Sequence, residues 1–75
     1  MMWEIDVAIP IEVPNASFLC SEVEKKIVKQ PRYSSDASNT FESVQFRVEH
    51  EKVAKDLVNQ ITKFLNEEID KLDGE

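Results

Sequence analysis

The feature that most constrains this chain is the alternation at its start. Trp3, Ile5, Val7, Ile9, Ile11 and Val13 share one parity, while Glu4, Asp6, Ala8, Pro10 and Glu12 take the other. Successive side chains of a strand point to opposite faces, so the segment reads as a strand with one apolar and one polar face. Such a strand needs a sheet beside it and a layer to cover its apolar side. Pro10 lacks an N–H and therefore belongs at a sheet edge or a bulge. Its place on the polar parity leaves the apolar face intact.

Pro14 and Asn15 punctuate the chain, and Asn15 is an N-cap candidate. Ala16, Leu19, Cys20, Val23 and Ile27 then recur at spacings of three and four, the apolar stripe of a helix. Lys25, Lys26 and Lys29 gather toward its C-terminal end, where the helix dipole favours cations. Pro31 ends it, because the residue before a proline avoids the α region. Residues 31–40 are polar and rich in turn formers. They accommodate a short strand around Arg32 to Ser35 and a tight turn near Ala37 to Asn39. Alternation returns from Phe41 to Glu49, with Val44, Phe46 and Val48 on one side and Ser43, Gln45, Arg47 and Glu49 on the other.

The last segment is the strongest helix. Val53, Ala54, Leu57, Val58, Ile61, Phe64, Leu65, Ile69 and Leu72 form a stripe at about 3.6 residues per turn. Gly74, the only glycine, follows it as a C-terminal stop. The stripe is wider than one small sheet needs. Val58, Phe64, Leu65 and Leu72 cannot all face the sheet together with Val53, Leu57, Ile61 and Ile69. Part of the stripe either packs on the first helix or forms an interaction patch. The pattern as a whole predicts a two-layer α+β sandwich in the order strand-helix-strand-strand-helix. A three-stranded antiparallel sheet carries both helices on one face. Residues 1–75 form one domain.

A 75-residue chain has a small core, worth roughly 3–5 kcal/mol, and such domains commonly add staples or partners. Cys20 is the only cysteine, so no internal disulfide can form. Cys20 and His50 are the only soft ligands, too few for structural zinc. A partner chain is the remaining support. Lys and Arg number 9 against 15 Asp and Glu, a formal net charge of −6. That balance opposes phosphate backbones and anionic membranes, and it suits a protein partner with a basic face. No apolar run reaches the roughly 18 residues of a membrane span. The start lacks the basic and apolar regions of a signal peptide, so the expected location is cytoplasmic.

Catalytic groups are not apparent. Cys20 sits among Ala16, Leu19 and Val23, the setting of a buried inert thiol. His50 lies at a strand–helix junction and reads as a helix-start or solvent-facing residue. Glu67, Glu68 and Asp70 do not all share a helical face, so they form no metal cluster. A phosphate cradle needs glycines near a helix start, and none precedes Gly74. The same absence opposes a KH-type RNA module, whose GXXG loop clamps the backbone. The chain is therefore expected to be no enzyme, with no cofactor and no metal.

Ile9-Pro10-Ile11-Glu12, and Val44-Gln45-Phe46-Arg47 running into Lys52-Val53-Ala54-Lys55 and Val58-Asn59, resemble the small dimerisation subunit of the KEOPS complex. The resemblance covers nearly the whole chain in element order, through short motifs. It implies a non-catalytic accessory subunit of the complex that installs threonylcarbamoyl on the adenosine beside the anticodon of certain tRNAs. The implied partner is a related dimerisation subunit, or a second copy of the chain, met through strand edges. The helices would be the surface where family members meet the catalytic subunit. Partner-binding residues are then expected among Val44, Phe46, Arg47, Lys55, Val58, Asn59, Phe64 and Leu65. The loop Gln30-Pro31-Arg32-Tyr33-Ser34-Ser35 departs from the family's Ser-Pro-Glu-like loop. Lys52 and Lys55 stand where arginines are usual. These departures, with the acidic charge, argue against direct tRNA contact. They suit a diverged paralogue that pairs with the true dimerisation subunit, as the fifth subunit does in eukaryotes. Two other readings stand beside this one: a free-standing KH-like nucleic-acid-binding module, and a small regulatory protein that binds a basic partner.

Overall fold

The computed structural model describes residues 1–73. Gly74, expected to stop the last helix, lies outside them. Three strands form one sheet: β1 (Trp3–Pro10), β2 (Ser34–Ala37) and β3 (Phe41–Val48), in the order β1-β3-β2. Both pairings are antiparallel, running from Trp3↔Val48 to Pro10↔Phe41 and from Ser34↔Gln45 to Ala37↔Glu42. The helices are α1 (Ala16–Glu22), continued by a π-helical segment Val23–Val28, and α2 (Glu51–Asp73). The order is that expected, and both helices pack on one face of the sheet.

The core lies between these layers. Ile5, Val7 and Ile9 of β1 and Val44, Phe46 and Val48 of β3 are buried, as alternation requires. Leu19, Cys20 and Val23 cover them from the first helix, and Ala54 and Ile61 from α2. Phe46, Val23 and Val44 are the largest side chains sealed from solvent.

Two strand boundaries differ from the sequence pattern. β1 ends at Pro10, not at Val13, because the chain turns there: Val13 donates its N–H to the Pro10 carbonyl at 3.0 Å. Ile11 is consequently exposed and Val13 only half-buried. β2 begins at Ser34, two residues later than expected. The turn that precedes β3 is organised by Ser38, whose Oγ accepts the N–H groups of Thr40 and Phe41 at 3.2 and 3.1 Å. Asn15 does open α1, but in the left-handed region (φ 64°) and without a side-chain cap. Its carbonyl accepts the Leu19 N–H at 2.9 Å.

The π segment explains a further departure. In an α-helix Val28 would rotate away from the face of Val23. Lys29 instead donates its N–H to the Glu24 carbonyl, five residues back, and takes a left-handed φ of 59°. This wider winding returns Val28 to the core beside Val23. The helix thus stops at Lys29 before Pro31 can act. Past it, Arg32 ion-pairs with Glu24, which ties the loop back to the helix.

α2 starts where expected: the His50 carbonyl accepts the Ala54 N–H at 3.0 Å, while the His50 side chain is exposed. Its broad stripe divides. Leu57, Phe64 and Leu65 pack partly against the core, whereas Val53, Val58 and Leu72 remain exposed. No helix among the described residues is long and apolar enough to cross a membrane.

Candidate protein interface

The residues expected to bind a partner fall in several places. Val44 and Phe46 are 1% and 0% exposed, so their side chains are core and cannot meet a partner. Their parity on β3 points them under both helices. Arg47, of opposite parity, lies on the open face of the sheet. Its guanidinium approaches Glu4 at 3.6 Å and stacks over the Tyr33 ring at 3.7 Å. Its carbonyl accepts a hydrogen bond from Gln30 Nε2 at 2.8 Å.

Lys55, Val58 and Asn59 do come together. With Trp3, Ile5 and Ala54 they line a shallow groove of about 330 Å³ between β1 and the start of α2. Leu65 lines the next groove along β1, about 190 Å³, with Val7, Ile61 and again Val58. Phe64 lies elsewhere, in a cleft of about 130 Å³ between α1 and α2 beside Phe18 and Leu72. The two grooves on β1 share Ile5 and Val58, and together they follow the strand for most of its length.

That strand is a sheet edge, and its free backbone groups can be assigned. Ile11 donates its N–H to the Thr40 carbonyl at 3.0 Å, one step beyond Pro10↔Phe41 in the same register. Residues of an antiparallel strand alternate between turning their backbone groups toward the partner strand and away from it. Trp3, Ile5, Val7 and Ile9 therefore bond to β3, and Glu4, Asp6, Ala8 and Pro10 turn outward. The other side of β3 agrees: the Phe41 and Gln45 carbonyls accept from Ser38 and Tyr33 at 2.9 and 2.7 Å. Glu4, Asp6 and Ala8 offer free N–H groups at the edge, and Pro10, which has none, closes the row.

A proline partly blunts the edge that carries it, which by itself would leave the opposite edge the better one for pairing. The geometry favours the reverse. β2 has four residues, all exposed, with no apolar side chain larger than Ala37. Very short edge strands are a common device against pairing. β1 has eight residues. Trp3, Glu4 and Asp6, which the expected set omitted, belong to this edge. For Glu4 and Asp6 the signal was the parity of the polar residues, whereas Trp3, on the apolar parity, joins them only through the groove it lines.

The open face of the sheet is a polar lattice. Gln45 Nε2 donates to Asp6 Oδ1 at 3.0 Å, and Ser34 Oγ donates to Gln45 Oε1 at 2.7 Å. Cys20 is buried, its Sγ 4.0 Å from the Glu42 carbonyl. Burial, reinforced by the Glu42 charge, pushes its thiol up from the usual value, away from the nucleophilic thiolate. Among the described residues no group of three or more His, Cys, Asp or Glu could hold a metal ion. Comparison with protein-family models, with curated proteins and with solved structures finds no match to this chain.

Proposed function

We propose that the chain is a non-catalytic pairing subunit that works by adding its β1 edge to the sheet of a related protein. In the setting implied by the KEOPS resemblance, it is an accessory subunit for threonylcarbamoyladenosine synthesis on tRNA. The related protein is then the dimerisation subunit of that complex. The observation that carries the reading is the unpaired eight-residue edge of β1 beside an apolar groove. Strand addition uses both parts: main-chain bonds supply affinity and side-chain pockets supply selectivity. The raised thiol and the net charge of −6 suit binding to protein better than nucleophilic or nucleic-acid chemistry.

Light scattering tests it. The chain is measured alone, then mixed with a KEOPS dimerisation subunit. A shift to a one-to-one complex is the expected result. A stable monomer with no affinity for that subunit would sink the proposal.

A further inference from the structure

The β1 edge has a charge pattern that selects its occupant. Glu4 and Asp6 both stand on the open face at the outer edge of the sheet, and both have outward backbone groups. Each already has a neighbour on the β3 side, Arg47 at 3.6 Å for Glu4 and Gln45 Nε2 at 3.0 Å for Asp6. Their outer sides face the place where an added strand would lie. On the opposite face that strand would meet Trp3, Ile5, Val58 and Leu65.

A second copy of this chain fits the place poorly. A closed two-fold dimer pairs β1 antiparallel with itself. Centred on Asp6, the two Asp6 carboxylates oppose each other directly. One step toward the start brings Glu4 opposite the other copy's Asp6. One step toward the end sets Glu4 opposite the other copy's Pro10, whose missing N–H removes a ladder bond. Like charges directly opposite destabilise a strand pair, and both copies also carry a net charge of −6.

We infer that the β1 edge takes an extended strand from a different protein, one that alternates lysine or arginine with aliphatic residues. This inference rests on the proposed pairing role and names the chemistry of the partner. The basic side chains of such a strand stand over Glu4 and Asp6, and its aliphatic side chains enter the groove between β1 and α2. Pro10 sets the limit of the contact, so the added strand pairs from Ala8 back toward Trp3.

Two synthetic nonapeptides test this, one alternating lysine with valine and one alternating glutamate with valine. Each is titrated into the isotope-labelled full chain, and amide shifts are followed by NMR. The basic peptide is expected to move the amides of Glu4, Asp6 and Ala8, and the acidic one to bind roughly tenfold more weakly. The double variant Glu4→Lys, Asp6→Lys, with its fold checked by the same spectra, is expected to reverse the preference. Equal binding of the two peptides overturns the charge selection but leaves edge pairing standing. Self-association of the chain through the same amides also overturns it, since the occupant is then a second copy. If neither peptide moves these amides and the chain is a monomer that ignores a KEOPS dimerisation subunit, the inference and the pairing role fall together.

Discussion

The guanidinium of Arg47 stacks over the Tyr33 ring, with Cζ 3.7 Å from the ring centroid. Tyr33 directly precedes β2, and its N–H bonds the Gln45 carbonyl at 2.7 Å. The stack therefore clamps the entry of the shortest strand onto the centre of the sheet. Tyr33→Ala is expected to cost about 0.5–1 kcal/mol, the usual worth of an exposed cation–π pair. Tyr33→Phe should keep most of it. Urea denaturation of the single and double variants with Arg47→Ala gives the coupling directly. A coupling indistinguishable from zero would mean that the stack is incidental.

Phe46 has the opposite character, with no exposed surface at all. Phe46→Ala removes a side chain at the centre of the core, a change that costs about 3–5 kcal/mol. A small domain has a stability of about that size. The variant is expected to be largely unfolded at 25 °C by circular dichroism, while Phe46→Leu folds with a reduced melting temperature. A folded Phe46→Ala with native melting would contradict the packing.

The buried positions were legible because alternation and helical spacing report burial directly. Ile5, Val7, Val44 and Phe46 all fall on the predicted faces. Partner contact was less legible, for a physical reason. The same apolar residue type marks a core position and a docking position, so Phe46 and Val58 look alike in sequence. Only the path of α2 over the sheet separates them, one sealed and the other exposed. Winding was hidden too. Val28 falls off an α-helical stripe, and only the backbone bond from Lys29 to Glu24 shows how it reaches the core. The edge role of β1 was half visible, through Pro10. Its length relative to β2 depended on where the Ser38 turn formed.

Cys20 gives a pH prediction. Burial raises its thiol above the ordinary value of 9.0, so the folded chain holds the proton more tightly than the unfolded chain. The thiol's contribution to stability is fully present below the unfolded value. It is lost as pH rises through the folded one. Stability should therefore fall above about pH 9, and Cys20→Ala should remove that part of the fall. Alkylation by iodoacetamide at pH 8 is expected to be slow in the native chain and fast in urea. Equally fast alkylation in both states would show that the thiol is not protected.

The assignment of outward backbone groups on β1 makes neighbouring residues respond in opposite ways. Val7 bonds to β3 and packs in the core at 5% exposure. Val7→Pro removes a ladder bond and disturbs the packing, so loss of the folded state is expected. Ala8 turns its N–H to the free edge, so Ala8→Pro leaves the β1–β3 ladder whole. Its melting temperature should stay within a few degrees of the parent, because the change spends no internal bond. Partner binding should nevertheless fall at least about tenfold, since one of three outward donors is gone and the proline ring obstructs the added strand. Pro10→Ala should do the reverse, lengthening the row of donors and strengthening pairing without altering the core. Thermal melts and binding titrations on the three variants check the set. If Ala8→Pro unfolds the chain while Val7→Pro does not, the alternation is inverted and the edge presents the other set of backbone groups.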